Sequence, residues 1–486
     1  MARVIWGIWG LLIVQGATVQ AMQIERSVVR ITNYQQAPDW QEPWRMSPTA
    51  SSTGSGFLIE NRWILTNAHV VSNSRMLLVN KFSTPEPFIA AVVAVAHDSD
   101  LALLQIDDPK FYQDLELLRL GTGLPPLQSR VRAYGYPQGG QDLSRTEGVV
   151  SRIEFGTYVH PGVDSHLLVQ TDTAINPGNS GGPVMAEEVV MGVAFQSNLR
   201  LNDVGYFIPM PVVQRFLEDM RDGRYDGVPE IGVQTSSLLN PHLRDFLGLP
   251  EGRGGVIVEH VMPNSSADGW LRPGDVLLRV GERDLDLAGM VQYGGQVVDF
   301  YIEAEGRQVG DPLSFSIWRE GQEQHLTLRL EPPPFSEEMR NSYDRLPEYL
   351  IYGGLVFVAL SRNYVQTQGF SPILAYEHWF RESEQPGTKR EQTVVISSVL
   401  PAAFNSGYTG HQNFVVDRVN GVRVSSLRHL DQLLSTLEDS VRFVSLESEW
   451  DPTPVILDRQ TVERGEADLL ERYGIREAKR LSRRAP

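Results

Sequence analysis

The stretch Thr171–Pro183, which reads TDTAINPGNSGGP, contains the residues of this sequence best suited to chemistry. A serine hydroxyl becomes a useful nucleophile only beside a base and near donors that stabilise an oxyanion. Glycines around it let the backbone turn tightly and direct N–H groups at one point. We therefore predict Ser180 as a nucleophile in an oxyanion turn formed by Gly178, Asn179 and Ser180, with the N–H groups of Gly178 and Ser180 as donors. For this stretch alone, a glycine-rich surface turn is an equal alternative.

Two upstream stretches offer the base and the carboxylate that such a serine needs. TNAHV places His69 just after an apolar stretch, and DSDLALL places Asp98 and Asp100 at the start of a buried-looking strand. A histidine base needs a carboxylate that holds its tautomer and stabilises the imidazolium. We predict His69 as the base and Asp100 as its partner, because Asp100 directly precedes the strand. Asp98 is the competing carboxylate, and His97 is interpreted as an exposed loop residue.

The motifs TNAHV, DSDLALL and QTDTAINPGNSGGP together resemble those of the HtrA/Deg serine proteases. The order His69, Asp100, Ser180 is that of the chymotrypsin-type arrangement. The resemblance implies a protease domain at residues 22–223, built as a pair of six-stranded barrels with the triad in the cleft between them. It also implies that the polar loop Gln35–Thr53 is regulatory.

The pattern of short apolar runs between Ser27 and Gly223 supports this fold. These runs are broken by Gly, Pro, Asn and Asp, which is typical of an all-β sandwich or barrel. Pro209–Met220 instead repeats apolar residues at helical spacing and predicts a helix that packs on the barrel.

The residues that flank the nucleophile suggest how a substrate is bound. Val193, Ala194 and Phe195 match the strand along which substrate backbone aligns in chymotrypsin-like enzymes, and Ile175 precedes the nucleophile turn. No acidic residue occupies these positions, so a basic side chain would find no charged partner. We expect a small or medium apolar residue at the cleavage site.

Residues 230–331 form a second module. Leu271–Val280, LRPGDVLLRV, resembles a PDZ domain, in which a carboxylate-binding loop precedes the strand that accepts a peptide. The matching loop is Glu230, Ile231, Gly232 and Val233. The stretch Ala288–Gly310 is long and glycine-interrupted where the groove helix belongs, so a structural spacer is the alternative to a peptide-binding domain.

A proline-rich linker, residues 332–345, leads to a second PDZ-like module at residues 346–458. Its carboxylate-binding loop would be Tyr352–Leu355, and its aromatic insertion, Ser361–Glu391, is expected to pack on its own domain. The charged tail, residues 459–486, is interpreted as a frayed, solvated helix. This layout is similar to that of plant-type Deg proteases.

Composition excludes several classes of function. The 486 residues carry a formal net charge of −17, which argues against a general nucleic-acid binder. The absence of cysteine excludes disulfides, thiol catalysis and cysteine-ligated metal. Ten histidines without zinc-like spacing predict no metal site, and the absence of a nucleotide-binding loop predicts no cofactor.

Residues 1–21 read as a secretory signal peptide. Arg3 precedes the apolar run Val4–Val14, and Val19–Ala21 offers small residues for cleavage. The run is shorter than the roughly 20 residues that span a bilayer. We therefore expect a periplasmic or otherwise secreted protein, with an uncleaved membrane anchor as the alternative.

These observations predict a mainly β protein, with a chymotrypsin-like double β-barrel and two α+β PDZ-like domains. The resemblance implies an ATP-independent serine endopeptidase that cleaves unfolded or damaged proteins, binds C-terminal peptides at its PDZ-like domains and assembles as a trimer or a multiple of it. The alternative is a non-catalytic, chaperone-like scaffold that binds such peptides.

Overall fold

The computed structural model describes residues 24–137, 142–197, 205–333, 337–381 and 390–481. The predicted signal peptide therefore lies outside the described residues. Within these ranges, every helix is too short or too polar to cross a membrane. The chain divides into two compact units, Met1–Gln35 with Ala50–Pro334, and Gln36–Thr49 with Phe335–Pro486.

The first barrel closes in the order β1-β2-β3-β6-β5-β4. Its strands are β1 (Val28–Gln35), β2 (Ala50–Leu58), β3 (Ile64–Thr66), β4 (Ser74–Asn80), β5 (Phe88–Ala96) and β6 (Leu101–Gln105), with helix α1 (Ala68–Val71) after β3. Side chains alternate across a strand. Ala102 and Leu104 of β6 therefore fill this barrel, while Leu101 and Leu103 join a larger core that includes residues of the second barrel. This two-sided burial explains why β6 reads as a continuous apolar run.

The second barrel closes through the pairing of β11 with β12, in the order β11-β8-β9-β10-β13-β12. Its strands are β7 (Arg119–Leu120), β8 (Arg130–Gly135), β9 (Ser144–Thr157), β10 (Ser165–Thr171), β11 (Pro183–Ala186), β12 (Val189–Ser197) and β13 (Gly205–Pro209), and β7 pairs with β12 from outside the ring. The predicted helix follows as α2 (Met210–Asp219), which buries Val212, Val213 and Phe216. The structure thus confirms the double barrel and its packing helix.

The first PDZ-like module is a sheet in the order β14-β15-β16-β20-β21, with β14 at its edge. Its elements are β14 (Val233–Ser237), α3 (Pro241–Phe246), β15 (Val256–Val261), β16 (Val276–Val280), β17 (Arg283–Asp284), β18 (Met290–Tyr293), β19 (Gln296–Asp299), α4 (Ile302–Glu305), β20 (Pro312–Arg319) and β21 (Gln322–Arg329). The irregular stretch Ala288–Gly310 is the hairpin β18–β19 followed by the single turn of α4. The groove helix expected of a PDZ domain is therefore only four residues long here.

The second unit contains two sheets, ordered β25-β24-β23-β22-β30 and β27-β26-β28-β29. Its strands are β22 (Tyr349–Tyr352), β23 (Leu355–Ala359), β24 (Val394–Val399), β25 (Val415–Val416), β26 (Arg418–Val419), β27 (Val422–Arg423), β28 (Phe443–Glu447), β29 (Val455–Asp458) and β30 (Lys479–Arg480). Its helices are α5 (Arg362–Thr367), α6 (Pro372–Ala375), α7 (Leu427–Ser435) and α8 (Arg459–Arg472), with a π-helical turn at Tyr376–Phe380. In the insertion, Tyr376 packs on Trp450 with ring centroids 5.4 Å apart, as expected for a cluster that packs on its own domain.

Within residues 459–481, the charged tail is structured rather than frayed. Helix α8 buries Val462 and Leu469, and β30 pairs with β22. Only these two side chains of α8 are buried. The many charged residues of the helix therefore make its narrow apolar face hard to recognise in the sequence. The interpretation of this tail as frayed was therefore wrong, whereas a helix with mostly exposed or half-buried residues was expected correctly.

The segment Gln36–Thr49 lies between β1 and β2 in sequence but packs in the second unit. Trp44 meets Tyr349 edge to face, with ring centroids 6.0 Å apart. The Ser397 hydroxyl donates to the Gln41 carbonyl at 2.9 Å, and Arg480 donates to the Pro43 carbonyl at 3.1 Å. The sequence predicted a loop at this segment, but it did not show that the loop packs in the second unit.

Candidate active site

Two neighbouring strands of the first barrel bring His69 and Asp100 together. β3 and β6 pair antiparallel, with Thr66 opposite Ala102, so the residues after β3 lie beside those before β6. His69 Nδ1 lies 2.6 Å from Asp100 Oδ2, and the His69 backbone N–H donates to Asp100 Oδ1 at 2.7 Å. Asn67 donates its side-chain amide to the Asp100 carbonyl at 2.9 Å. The aspartate is therefore held at its carboxylate and at its backbone.

Burial and charge act in opposite directions on this pair. Burial alone would lower the pKa of His69, but the charge of Asp100 and its hydrogen bond outweigh that effect and raise the pKa above 6.5. Burial alone would raise the pKa of Asp100, but the charges of His69 and His160 and the hydrogen bonds from His69 lower it below 3.8. Asp100 is thus ionised at neutral pH and favours a proton on His69 Nδ1.

The pKa of His69 predicts the acid limb of the rate profile. Because a histidine acts as a base only when neutral, we expect kcat/KM to fall as the pH drops through a pKa above 6.5. In Asp100→Asn, which lacks the charge that raises this pKa, the limb should move to lower pH. The measurement is the pH dependence of peptide cleavage. A wild-type limb centred well below pH 6.5 would contradict this assignment.

Ser180 lies in the turn between β10 and β11, which glycines allow to pack tightly. Gly181 has φ +84°, and a Cβ there would lie 2.1 Å from the Ser55 carbonyl oxygen. A Cβ on Gly182 would lie 1.9 Å from the Tyr134 carbonyl oxygen. Both distances are shorter than a van der Waals contact, so only glycine fits at these two positions. The serine is therefore set directly against the strands around it.

Phe195 is a neighbour of both Ser180 and His69. The Ser180 hydroxyl donates to the Phe195 carbonyl at 3.0 Å. The ring of Phe195 lies 6.4 Å from that of His69, centroid to centroid. The serine and the histidine thus border the same small region, and the serine hydroxyl in this structure is directed at a carbonyl of β12.

The backbone N–H of Asn179, in the middle of the predicted oxyanion turn, has a partner within the turn. The N–H of Asn179 donates to the Asn176 carbonyl at 2.9 Å, so it is committed to the turn itself. Gly178 has φ +102°, which glycine tolerates. Asn179 therefore cannot donate its N–H to an oxyanion. The N–H groups of Gly178 and Ser180 remain as the predicted donors.

Comparisons with known proteins agree with this geometry. Residues 54–193 match the family described as trypsin-like peptidase domain, and residues 339–481 match the PDZ domain family. Protease Do-like 4, mitochondrial, from Arabidopsis thaliana is 34% identical over 87% of this chain and 79% of its own length. Protease Do-like 2, chloroplastic, from the same plant is 34% identical over 92% of this chain and 74% of its own length.

The chain belongs to the HtrA/Deg family of serine proteases.

A solved structure of this family has the same fold. The HtrA-type protease AlgW with tripeptide superposes with a TM-score of 0.50 at 25% identity, over 65% of this chain and 97% of that one. The predicted family, the mainly β fold class and the serine endopeptidase activity are confirmed. The PDZ match ends at residue 481, so it includes the tail that the sequence analysis treated as a separate segment.

The predicted substrate-binding residues of this Deg protease lie on and near β12, with buried side chains. Ile175 and Ala194 belong to the core of the second barrel, and Val193 and Phe195 belong to the larger core. Each of the four is at most 4% exposed. Their side chains are therefore not open to a substrate, and the backbone of Val193 already pairs with β11 and with β13.

Asp98, the competing carboxylate, has different partners. It accepts a hydrogen bond from the Tyr225 hydroxyl at 2.5 Å and another from the Val228 N–H at 3.3 Å. His97 is half-buried, with Nδ1 2.9 Å from His160 Nε2, so its interpretation as an exposed loop residue was wrong. Asp98 anchors the segment that follows the protease domain, while Asp100 faces the histidine.

His166, a buried histidine that was not recognised from the sequence, supports the turn that carries Asp98 and Asp100. His166 on β10 donates from Nε2 to the Asp98 carbonyl at 3.0 Å, and its Nδ1 lies 3.2 Å from Glu305 Oε1 on α4. Burial alone would lower the pKa of His166, but the charge of Glu305 raises it to about 9. The imidazolium thus joins the first PDZ-like module to the turn that carries Asp100. Glu305 is 139 residues away in sequence, so no local motif could reveal the pair.

The predicted carboxylate-binding loop Glu230–Val233 borders the edge strand β14. Gly232 has φ +80°, and a Cβ there would lie 2.1 Å from Ser265 Cβ. The Val233 carbonyl accepts a hydrogen bond from the Tyr301 hydroxyl at 2.9 Å. A peptide that adds to the sheet as a strand would need this carbonyl as a hydrogen-bond acceptor. The Tyr301 hydroxyl therefore occupies part of the β14 edge.

The corresponding loop of the second PDZ-like module is filled from within. The Gly353 N–H donates to Glu466 Oε1 of α8 at 2.7 Å. Strand β23, which follows the loop, pairs with β22 on one side and β24 on the other. The predicted carboxylate-binding loop Tyr352–Leu355 thus already holds a carboxylate of its own chain in this structure.

Proposed function

We propose that this Deg protease hydrolyses peptide bonds with Ser180 as nucleophile, His69 as general base and Asp100 as the group that orients the histidine. The contact between His69 Nδ1 and the buried Asp100 carboxylate carries the proposal, since it leaves Nε2 to accept the serine proton. The serine first rotates away from the Phe195 carbonyl. The N–H groups of Gly178 and Ser180 then stabilise the tetrahedral oxyanion.

The substrates we propose are unfolded or damaged protein chains, cleaved without ATP. The side chains of the predicted substrate-binding residues are buried, so we infer that the protease binds a substrate through the substrate's own backbone, which only an extended chain exposes. The test is cleavage of casein without nucleotide, compared with a folded protein of similar length, and labelling of Ser180 by a fluorophosphonate. Labelling of Ser180 with no cleavage of any unfolded chain would contradict the proposed substrate class. The absence of both reactions would favour the scaffold alternative.

We propose that the first 21 residues direct the chain to the periplasm or another secreted compartment. The apolar run behind Arg3 supports this. The two relatives are named as mitochondrial and chloroplastic proteins. N-terminal sequencing of mature protein separates cleavage near Ala21 from an intact, anchored N-terminus.

We also propose that the chain forms a homo-oligomer, a trimer or a multiple of it. This proposal rests on family membership and is tested by light scattering of the purified chain.

We propose that apolar C-terminal peptides bind the first PDZ-like module at Glu230–Val233 and add to β14, raising the cleavage rate. The free edge of strand β14 supports this site, and the solved relative AlgW is described with a bound tripeptide. Burial raises the pKa of Tyr301 to about 12, so its hydroxyl is a hydrogen-bond donor at neutral pH. An incoming peptide therefore has to displace this donor from the Val233 carbonyl.

Tyr301→Phe should bind such peptides about fivefold more tightly, because a neutral hydrogen bond contributes about 1 kcal/mol. Titration of a fluorescent apolar peptide measures the affinity. Tyr293→Phe in the same module is the matched control and should bind as wild type. Gly232→Pro should abolish binding while basal cleavage persists. Equal affinities for wild type and Tyr301→Phe would exclude β14 as the accepting edge.

A further inference from the structure

Ser55, a buried residue of β2, holds the oxyanion turn from the opposite barrel. Its backbone N–H donates to the Ser180 carbonyl at 2.8 Å, and its hydroxyl donates to the Gly178 carbonyl at 2.7 Å. The same hydroxyl oxygen accepts the N–H of Tyr136 at 2.8 Å, and the Ser55 carbonyl accepts the Thr66 hydroxyl at 2.7 Å. Each polar group of this fully buried residue is therefore used, and two of them hold the ends of the turn.

The hydroxyl of Ser55 determines the orientation of one peptide plane. The Gly178 carbonyl and the Asn179 N–H belong to the same planar unit and point in opposite directions. With the carbonyl directed at Ser55, the N–H is directed at the Asn176 carbonyl, 2.9 Å away. This arrangement keeps the Asn179 N–H out of the oxyanion site and leaves Gly178 and Ser180 as donors.

The packing around Ser55 leaves little space for a different arrangement. A Cβ on Gly135 would lie 2.9 Å from the Ser55 hydroxyl oxygen, and one on Gly181 would lie 2.1 Å from its carbonyl oxygen. The turn thus rests directly on β2 and on the end of β8. Without the Ser55 hydroxyl, the buried Gly178 carbonyl and Tyr136 N–H would both lose their partner, which favours rotation of the 178–179 peptide.

We propose that Ser55 is a positioning residue for the oxyanion site of this protease. Its hydroxyl touches neither substrate nor the reacting atoms, and it acts by holding the Gly178 carbonyl so that the N–H groups of the turn are arranged for the transition state. The proposal rests on the proposed function of Ser180 and extends it to a residue 123 positions away from Gly178.

The test compares Ser55→Ala with wild type in the full chain, using a peptide substrate. Removing one oxyanion donor costs about 10²–10³-fold in kcat. Since Ser55→Ala disorders the donors without deleting them, we expect a drop in kcat of about 10- to 100-fold. The KM and the acid limb of the pH profile, which reports His69, should not change. Ser51→Ala, an exposed serine on the same strand, is the matched control and should behave as wild type.

A second pair of variants separates positioning from folding. Ser55→Thr and Ser55→Val have nearly the same shape, but only threonine keeps the hydroxyl. We expect kcat of the threonine variant to exceed that of the valine variant at least about 10-fold, and a peptide boronate, which mimics the tetrahedral adduct, to bind the threonine variant correspondingly more tightly. Equal kcat values for this pair, or a Ser55→Ala variant at wild-type kcat, would overturn the proposal. If wild type were inactive, or Ser180→Ala fully active, the proposed function itself would fail instead.

Discussion

Replacing Ser180 by alanine will reduce cleavage of an unfolded protein about 10³-fold or more. The change removes only a hydroxyl, and without it His69 has no nucleophile to activate, since triad members act as a unit. The fold should persist, because the Ser180 hydroxyl makes one hydrogen bond, to the Phe195 carbonyl, and such a bond contributes about 1 kcal/mol. The measurement is the rate of casein cleavage, with thermal unfolding followed in parallel.

Peptide binding provides the control for this variant. Gly232 and the rest of the predicted carboxylate-binding loop belong to a different module from Ser180, so Ser180→Ala should bind an apolar C-terminal peptide with wild-type affinity. A variant that binds peptide and unfolds normally, yet still cleaves casein at nearly the wild-type rate, would show that Ser180 is not the nucleophile.

The three residues of the proposed triad could be selected from sequence because each lies in a short motif with a local cause. His69 follows a buried strand, Asp100 precedes one, and Ser180 is surrounded by glycines that a tight turn requires. The pairing of β3 with β6 then brings the first two together. Chain order and strand ends, together with the resemblance of the three motifs to those of the HtrA/Deg proteases, therefore identified the catalytic candidates.

Contacts between distant segments could not be predicted in the same way. Ser55 reaches a turn 123 residues away, and His166 reaches Glu305 across 139 residues. A single serine in a strand, or a single histidine in another, carries no periodicity or spacing that names its partner. Such residues become visible only when folding places their polar atoms within hydrogen-bond distance and excludes water from them.

The second PDZ-like module shows a related limit. The sequence Tyr352–Leu355 has the glycines of a carboxylate-binding loop, but the structure supplies a carboxylate from Glu466 of its own tail. Burial of Glu466 raises its pKa above 4.5, although the hydrogen bond from Gly353 acts in the opposite direction. The glycine pattern predicts the shape of the turn. Which carboxylate binds to the N–H groups of the turn depends on where the tail packs.

Asp100→Asn is expected to lower kcat/KM about 10⁴-fold, the scale of a carboxylate-to-amide change in chymotrypsin-like enzymes. The amide keeps the size of the side chain but can present N–H rather than an acceptor to His69 Nδ1, which favours the wrong tautomer and removes the charge that stabilises the imidazolium. His69→Ala should be similarly inactive, because the serine then has no base. Asp98→Asn is the matched control: its amide oxygen can still accept from the Tyr225 hydroxyl in the place of Oδ1, and only the longer contact from the Val228 N–H to Oδ2 is lost, so its activity should stay within about tenfold of wild type. Peptide-cleavage kinetics of the three variants decide the assignment, and a larger loss for Asp98→Asn than for Asp100→Asn would refute it.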